Sequence, residues 1–133
     1  MSTYLLDANV LIALTVAEHD QHDDASAWVA GVDKFALCPV VEGALIRFLV
    51  RIGESAAAAV EVLHAVHALP RCEFWGDSVS HVDARLGHVR GHRQVTDAYL
   101  ATLADAGGGK LATFDKALAT ELPDSIELLP SSS

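Results

Sequence analysis

The chain has 133 residues, 51% of them apolar, and a net charge of −9. That length suits one domain with a genuine core and is too short for two ordinary ones, and no apolar run approaches the roughly 20 residues that a membrane helix needs. Cys38 and Cys72 stand far apart and form no CxxC pair, which argues against a disulfide scaffold or zinc site and leaves buried free thiols as the expectation.

The first residues, Met1-Ser2-Thr3-Tyr4, carry no basic segment, and Asp7 interrupts the first apolar stretch, so no secretory signal is read and a cytoplasmic protein is expected. Tyr4 to Leu6 read as a short buried strand ending at Asp7. Asn9 to Ala17 follow as a helix apolar almost all round, broken by a polar loop from His19 to Asp24. Ala25 to Val32 form a second helix, favoured by the acidic residues before it. Lys34 to Cys38 are a strand, and Pro39 stands at the mouth of a helix over Val41 to Ile52. That helix buries Ala44, Leu45, Phe48 and Leu49 and shows Arg47 and Arg51 on its other side.

Glu54 to Leu69 predict an alanine-rich helix stopped by Pro70. Arg71 to Trp75 read as a strand, Val79 to Val89 as a helix, and Gly91 opens a loop before a helix over Thr96 to Ala106, with Thr96 as its N-cap. Gly107 to Gly109 make a turn rather than a phosphate loop, since a strand follows over Lys110 to Thr113. A short helix over Lys116 to Glu121 and a strand over Ile126 to Leu129 complete a single domain, 1–129. The remaining 130–133 are expected to fray. Alternating strands and helices imply right-handed crossovers and a mainly parallel sheet covered on both sides, an α/β fold of three layers.

In such a fold the functional crevice lies beyond the carboxyl ends of the strands. Asp7 and Asp115 end two strands there, and Glu42 and Asp97 stand in the first turns of helices whose N-termini face the same edge. Ionised carboxylates brought that close repel, and some stay protonated unless a cation joins them. Mg²⁺ or Mn²⁺ is the matching ion, because hard cations prefer carboxylate and water oxygens, and such ions activate water against phosphodiesters. Asn9 either supports Asp7 or caps the helix beginning there, and Thr113 either bonds a carboxylate or fills its strand.

Net acidity is unusual for a nucleic-acid binder, but the charge is unevenly spread. His81 to Arg93 carry Arg85, Arg90 and Arg93 against only Asp83, and Arg47 and Arg51 form a second basic patch. These five arginines are candidates for contacts to a phosphate backbone, or equally for solvated surface or partner contacts. His19, His22, Asp23 and Asp24 are read as a solvated connection rather than a second metal site, and His64 and His67 as half-buried packing residues.

The segments Leu5-Leu6-Asp7-Ala8-Asn9-Val10-Leu11-Ile12-Ala13-Leu14, Cys38-Pro39-Val40-Val41-Glu42 with Arg47, Arg93-Gln94-Val95-Thr96-Asp97-Ala98-Tyr99-Leu100 and Leu111-Ala112-Thr113-Phe114-Asp115 resemble the PIN-domain ribonucleases. More closely, they resemble the VapC toxins of type II toxin–antitoxin pairs. The resemblance covers nearly the whole chain. It implies a PIN-like α/β/α sandwich and a Mg²⁺-dependent endoribonuclease, with Mn²⁺ able to substitute, that hydrolyses RNA with metal-activated water and arrests growth. It also implies a homodimer bound, as a heterotetramer or larger assembly, to a VapB-like antitoxin whose C-terminal segment covers the site, with no membrane involved.

By position, Asp7, Glu42, Asp97 and Asp115 match the family's acidic quartet, and Asn9 and Thr113 its supporting polar positions. Asp7 and Asp97 are the stronger expected ligands. Val41 and Gly43 depart from the Thr and Asn that relatives often carry around the Glu. A rival reading is a catalytically quiet antitoxin partner acting in a DNA-binding repressor complex. A phosphatase with Asp7 as nucleophile would need a second Asp two residues on, where this chain has Asn9.

Overall fold

The structure, a computed structural model, describes residues 3–132. Five strands, β1 (Thr3–Leu6), β2 (Lys34–Leu37), β3 (Cys72–Phe74), β4 (Lys110–Thr113) and β5 (Ile126–Leu128), form one sheet in the order β3-β2-β1-β4-β5. Every neighbouring pair is parallel. Six helices connect them: α1 (Ala8–Thr15), α2 (His22–Gly31), α3 (Pro39–Arg51), α4 (Ala56–His67), α5 (Gln94–Ala106) and α6 (Lys116–Glu121). The chain runs outward from β1 to β3, then returns to add β4 and β5 on the other side of β1. With right-handed crossovers, α1 to α4 cover one face and α5 and α6 the other. The sandwich read from the sequence is therefore present, and its sheet is wholly parallel.

Burial on both faces explains the continuous apolar strands. Leu5, Leu6, Phe35, Ala36, Leu37, Leu111 and Ala112 are all buried. Local signals set the helix ends. Pro39 opens α3, where its missing N–H costs nothing, and the Ser55 hydroxyl accepts from the Ala58 N–H at 3.0 Å to start α4. Gly109 lies so close to β1 that a Cβ there would sit 1.8 Å from the Thr3 carbonyl oxygen.

The structure corrects three local expectations. The helix over Val79 to Val89 is absent; only a single 3-10 turn forms, at His81–Asp83. The spacing of Val79, Val82, Leu86 and Val89 is helical, but Val82 remains 91% exposed, so there is no apolar face to bury. Side-chain ties hold the segment instead: His81 stacks on Tyr99 with centroids 4.3 Å apart, and the Arg85 N–H donates to the Thr102 hydroxyl at 3.1 Å. The polar loop is shorter than read, because His22, Asp23 and Asp24 already form the first turn of α2, where the two carboxylates suit the helix dipole. Thr96 is no N-cap, since α5 begins two residues earlier and Arg93 holds that position.

His19 and His22 do not share a site: the His19 ring accepts from the Gln21 N–H at 3.0 Å, and His22 Nδ1 lies 2.8 Å from the Ala13 carbonyl oxygen. At the chain end, the Ser132 N–H donates to Asp24 at 3.0 Å; Ser133 lies outside the described residues.

Candidate active site

A doubly wound sheet opens a crevice where its strand order reverses, here between β1 and β4. Asp7 follows β1 and Asp115 follows β4, so both stand at that point. Each also caps a helix. Asp7 Oδ1 accepts from the Ala8 N–H at 2.8 Å, and Asp115 Oδ1 accepts from the Leu118 N–H at 3.1 Å. Asp97 lies in the first turn of α5 and accepts no hydrogen bond from the protein among the described residues.

Thr113, wholly buried, is the hub. Its hydroxyl donates to Asp7 Oδ2 at 2.8 Å and accepts from Asn9 Nδ2 at 3.0 Å and from the Asp115 N–H at 3.1 Å. Asn9 Oδ1 accepts from the Phe114 N–H at 3.2 Å. Asn9 is therefore a clamp between β4 and α1, and Asp7 rather than Asn9 caps that helix.

Burial pushes the Asp7 carboxyl up, against the lowering effect of its Thr113 and Ala8 hydrogen bonds, and the Asp115 charge adds to the rise. Burial, then Asp7, then Asp115 raise Asp97 from 3.8 to about 6. The three aspartates thus form one electrostatic unit. Glu42 is not among the charges acting on Asp7 or Asp97. Its Oε2 lies 2.5 Å from His67 Nε2 on α4. Its charge is felt at Cys38 and Cys72, free thiols that burial chiefly pushes up, Cys72 to about 11.

Among the described residues no three His, Cys, Asp or Glu side chains are set to hold a metal ion directly. The donor set nonetheless fits a hard cation: all oxygens, neighbouring charges that raise the Asp7 and Asp97 carboxyls, and an Asp97 carboxylate unbonded among the described residues. Mg²⁺ commonly keeps several waters and takes about one or two carboxylates directly, so it does not require three side chains in direct reach.

Asp97 and Asp115 line a small pocket of about 80 Å³ with His88, Gln94 and Glu121. His88 Nε2 is buried there and has no hydrogen-bond partner among the described residues. Gln94 accepts from the Arg90 and Gly91 N–H groups at 2.6 and 3.2 Å, holding the loop before α5. Sequence reasoning singled out neither of these residues.

The basic residues separate into two groups. Arg47 and Arg51 are exposed and line an open groove of about 500 Å³ with Ile12, Ala44, Phe48 and Val50. Arg90 and Arg93 are exposed beside the start of α5. Arg85 is engaged: its guanidinium pairs with Asp105 and donates to Ser125 Oγ at 3.2 Å.

A wholly parallel α/β/α sandwich with acidic side chains collected at its switch point defines the class of the protein as PIN-like. The PIN domain family model matches residues 4–120. The chain belongs to the PIN-domain family, and within it to the VapC type. It is 54% identical over 130 residues to Ribonuclease VapC29 of Mycobacterium tuberculosis, covering 97% of this chain and 98% of that protein. It is 34% identical over 126 residues to Ribonuclease VapC44 of the same species, covering 86% and 87%. Among solved structures, VapC20 of Mycobacterium tuberculosis, described as a Sarcin-Ricin loop cleaving toxin, matches with a TM-score of 0.73 at 17% identity, over 97% of this chain and 100% of that one. VapBC2 of Rickettsia felis, bound to a DNA fragment from its promoter, matches with a TM-score of 0.68 at 17% identity, over 96% and 99%. No helix among the described residues is long and apolar enough to cross a membrane.

Proposed function

We propose that this protein is the toxin of a type II toxin–antitoxin pair, an endoribonuclease that depends on Mg²⁺ or Mn²⁺ and arrests growth by cutting cellular RNA. The observation that carries this reading is the electrostatic unit of Asp7, Asp97 and Asp115, with Asp97 raised to about 6 at the switch point. Relatives named ribonucleases that align along almost the whole chain support it.

Asp7 and Asp97 would hold the ion, with Asp115 and Glu42 as further carboxylates around it. A cation there supplies activation of water and neutralisation of charge on a phosphodiester. The chain's own residues do the remaining work. Thr113 and Asn9 fix the Asp7 carboxylate, so no rotamer freedom is lost when substrate arrives. Arg47, Arg51, Arg90 and Arg93 offer exposed positive charge to an RNA backbone around an acidic centre. A VapB-like antitoxin, whose C-terminal segment sets a basic side chain among the carboxylates, would silence the site. The toxin is proposed to pair as a homodimer within that complex.

Purified, antitoxin-free protein is expected to cleave total RNA with Mg²⁺ or Mn²⁺, to stop in EDTA, and to lose cleavage in Asp7→Asn and Asp97→Asn variants that still fold. Undiminished cleavage by both variants in excess Mg²⁺ would reject the assignment.

A further inference from the structure

Glu42 stands in the first turn of α3 and His67 at the last turn of α4, and their side chains meet at 2.5 Å. Both are half-buried, at 33% exposure for His67 and 17% for Glu42. A carboxylate only accepts, so the ring donates from Nε2. The imidazole also sits against Phe74, with centroids 6.1 Å apart, which restricts its rotation. The ring is placed by the α3–α4 packing, through the buried Leu45, Leu49, Ala59 and Val66. Glu42 Oε1 makes no hydrogen bond to the protein among the described residues.

We propose that His67 is a positioning residue of the acidic site, fixing Glu42 through Oε2 so that Oε1 is presented to a cation or to water on it. The proposal deepens the nuclease reading and rests on it. A glutamate has three side-chain torsions, and in the first turn of a helix it would otherwise sample several rotamers. A hydrogen bond from a ring that is itself packed removes that freedom. Ligating carboxylates generally need such an outer partner, and loss of the partner typically costs about 10- to 100-fold in metal affinity or activity.

The test uses His67→Leu, His67→Gln, Glu42→Gln and the His67→Leu/Glu42→Gln double variant. Three quantities are read: Mn²⁺ affinity of the RNA-free protein by calorimetry, kcat and KM on one RNA, and the melting temperature in EDTA. His67→Leu is expected to lower Mn²⁺ affinity and kcat by about 10-fold or more with little change in KM. His67→Gln, whose amide still donates, should recover part of the loss. In the Glu42→Gln background, His67→Leu should add nothing, because it acts through Glu42. Wild-type Mn²⁺ affinity and kcat in His67→Leu, or the same loss with and without Glu42, would overturn the proposal. Failure of the nuclease reading itself would look different, with Asp7→Asn as active as the wild type.

Discussion

Asp97→Asn is expected to make the protein inactive and more stable at once. Among the described residues Asp97 accepts no hydrogen bond, so an amide in its place loses none of the bonds seen there. What it removes is a negative charge that burial, Asp7 and Asp115 all oppose, holding the carboxyl at about 6 against 3.8. That difference converts to about 3 kcal/mol, which solvent screening of a half-buried group cuts to about 1.5 kcal/mol. Losing a carboxylate at the N-terminus of α5 costs about 0.5 kcal/mol. The net gain is about 1 kcal/mol, or about 4 °C in melting temperature for a domain of this size.

The pH dependence follows from the direction of the shift. A carboxyl raised by folding holds its proton more tightly in the native state, so its contribution is fully present below 3.8 and is lost as pH rises through about 6. The gap between variant and wild type should therefore be smallest near pH 4 and fully open above pH 7. Thermal or urea unfolding of both proteins in EDTA, from pH 4.5 to 8, measures it. Added Mn²⁺ should then raise the wild-type melting temperature more than the variant's. A variant that melts below the wild type at pH 7.5, or a gap that does not change with pH, would refute the reasoning.

Thr113→Val keeps the shape but removes the hydroxyl that serves Asp7, Asn9 and Asp115 in a fully buried position. It should cost about 2–4 kcal/mol in urea unfolding and push Asp7 higher still, and a loss below measurement would count against the hub. Arg47→Ala and Arg51→Ala should each reduce the salt dependence of RNA binding by about 0.7 in slope. Arg85→Ala should leave that slope unchanged and cost under about 1 kcal/mol of stability, since its charge is paired with Asp105 at the surface. Gly109→Ala would place a Cβ 1.8 Å from the Thr3 carbonyl oxygen and force β1 and β4 apart. A loss of about 3 kcal/mol or more, or no soluble protein, is expected, and wild-type stability would contradict the close approach.

Much of this arrangement is legible in the sequence. A carboxylate closing an apolar run in a parallel sheet has few places to stand, so Asp7 and Asp115 could be assigned to strand ends, and the α/β alternation brought those ends to one edge. The same pattern reasoning failed over Val79 to Val89, where helical spacing had no partner surface to bury against and His81 and Arg85 found tertiary contacts instead. Capping was misassigned at Thr96 because α5 gains a turn at its start, with Gln94 tying down the preceding loop.

The pairing of Glu42 with His67 left no local trace. It joins residues 25 apart through the packing of α3 on α4, a geometry that periodicity does not encode. His88 was hidden for a related reason, since its place beside Asp97 and Asp115 depends on the irregular path of the chain before α5.

The aspartates at the switch point are proposed to make one cation site. Crystals grown with Mn²⁺ and measured at a wavelength where manganese scatters anomalously test it most directly. The expected result is an anomalous peak about 2.2 Å from carboxylate oxygens of Asp7 or Asp97, with waters filling the remaining positions. No peak at saturating Mn²⁺, or a peak bound elsewhere with the three aspartates untouched, would contradict it.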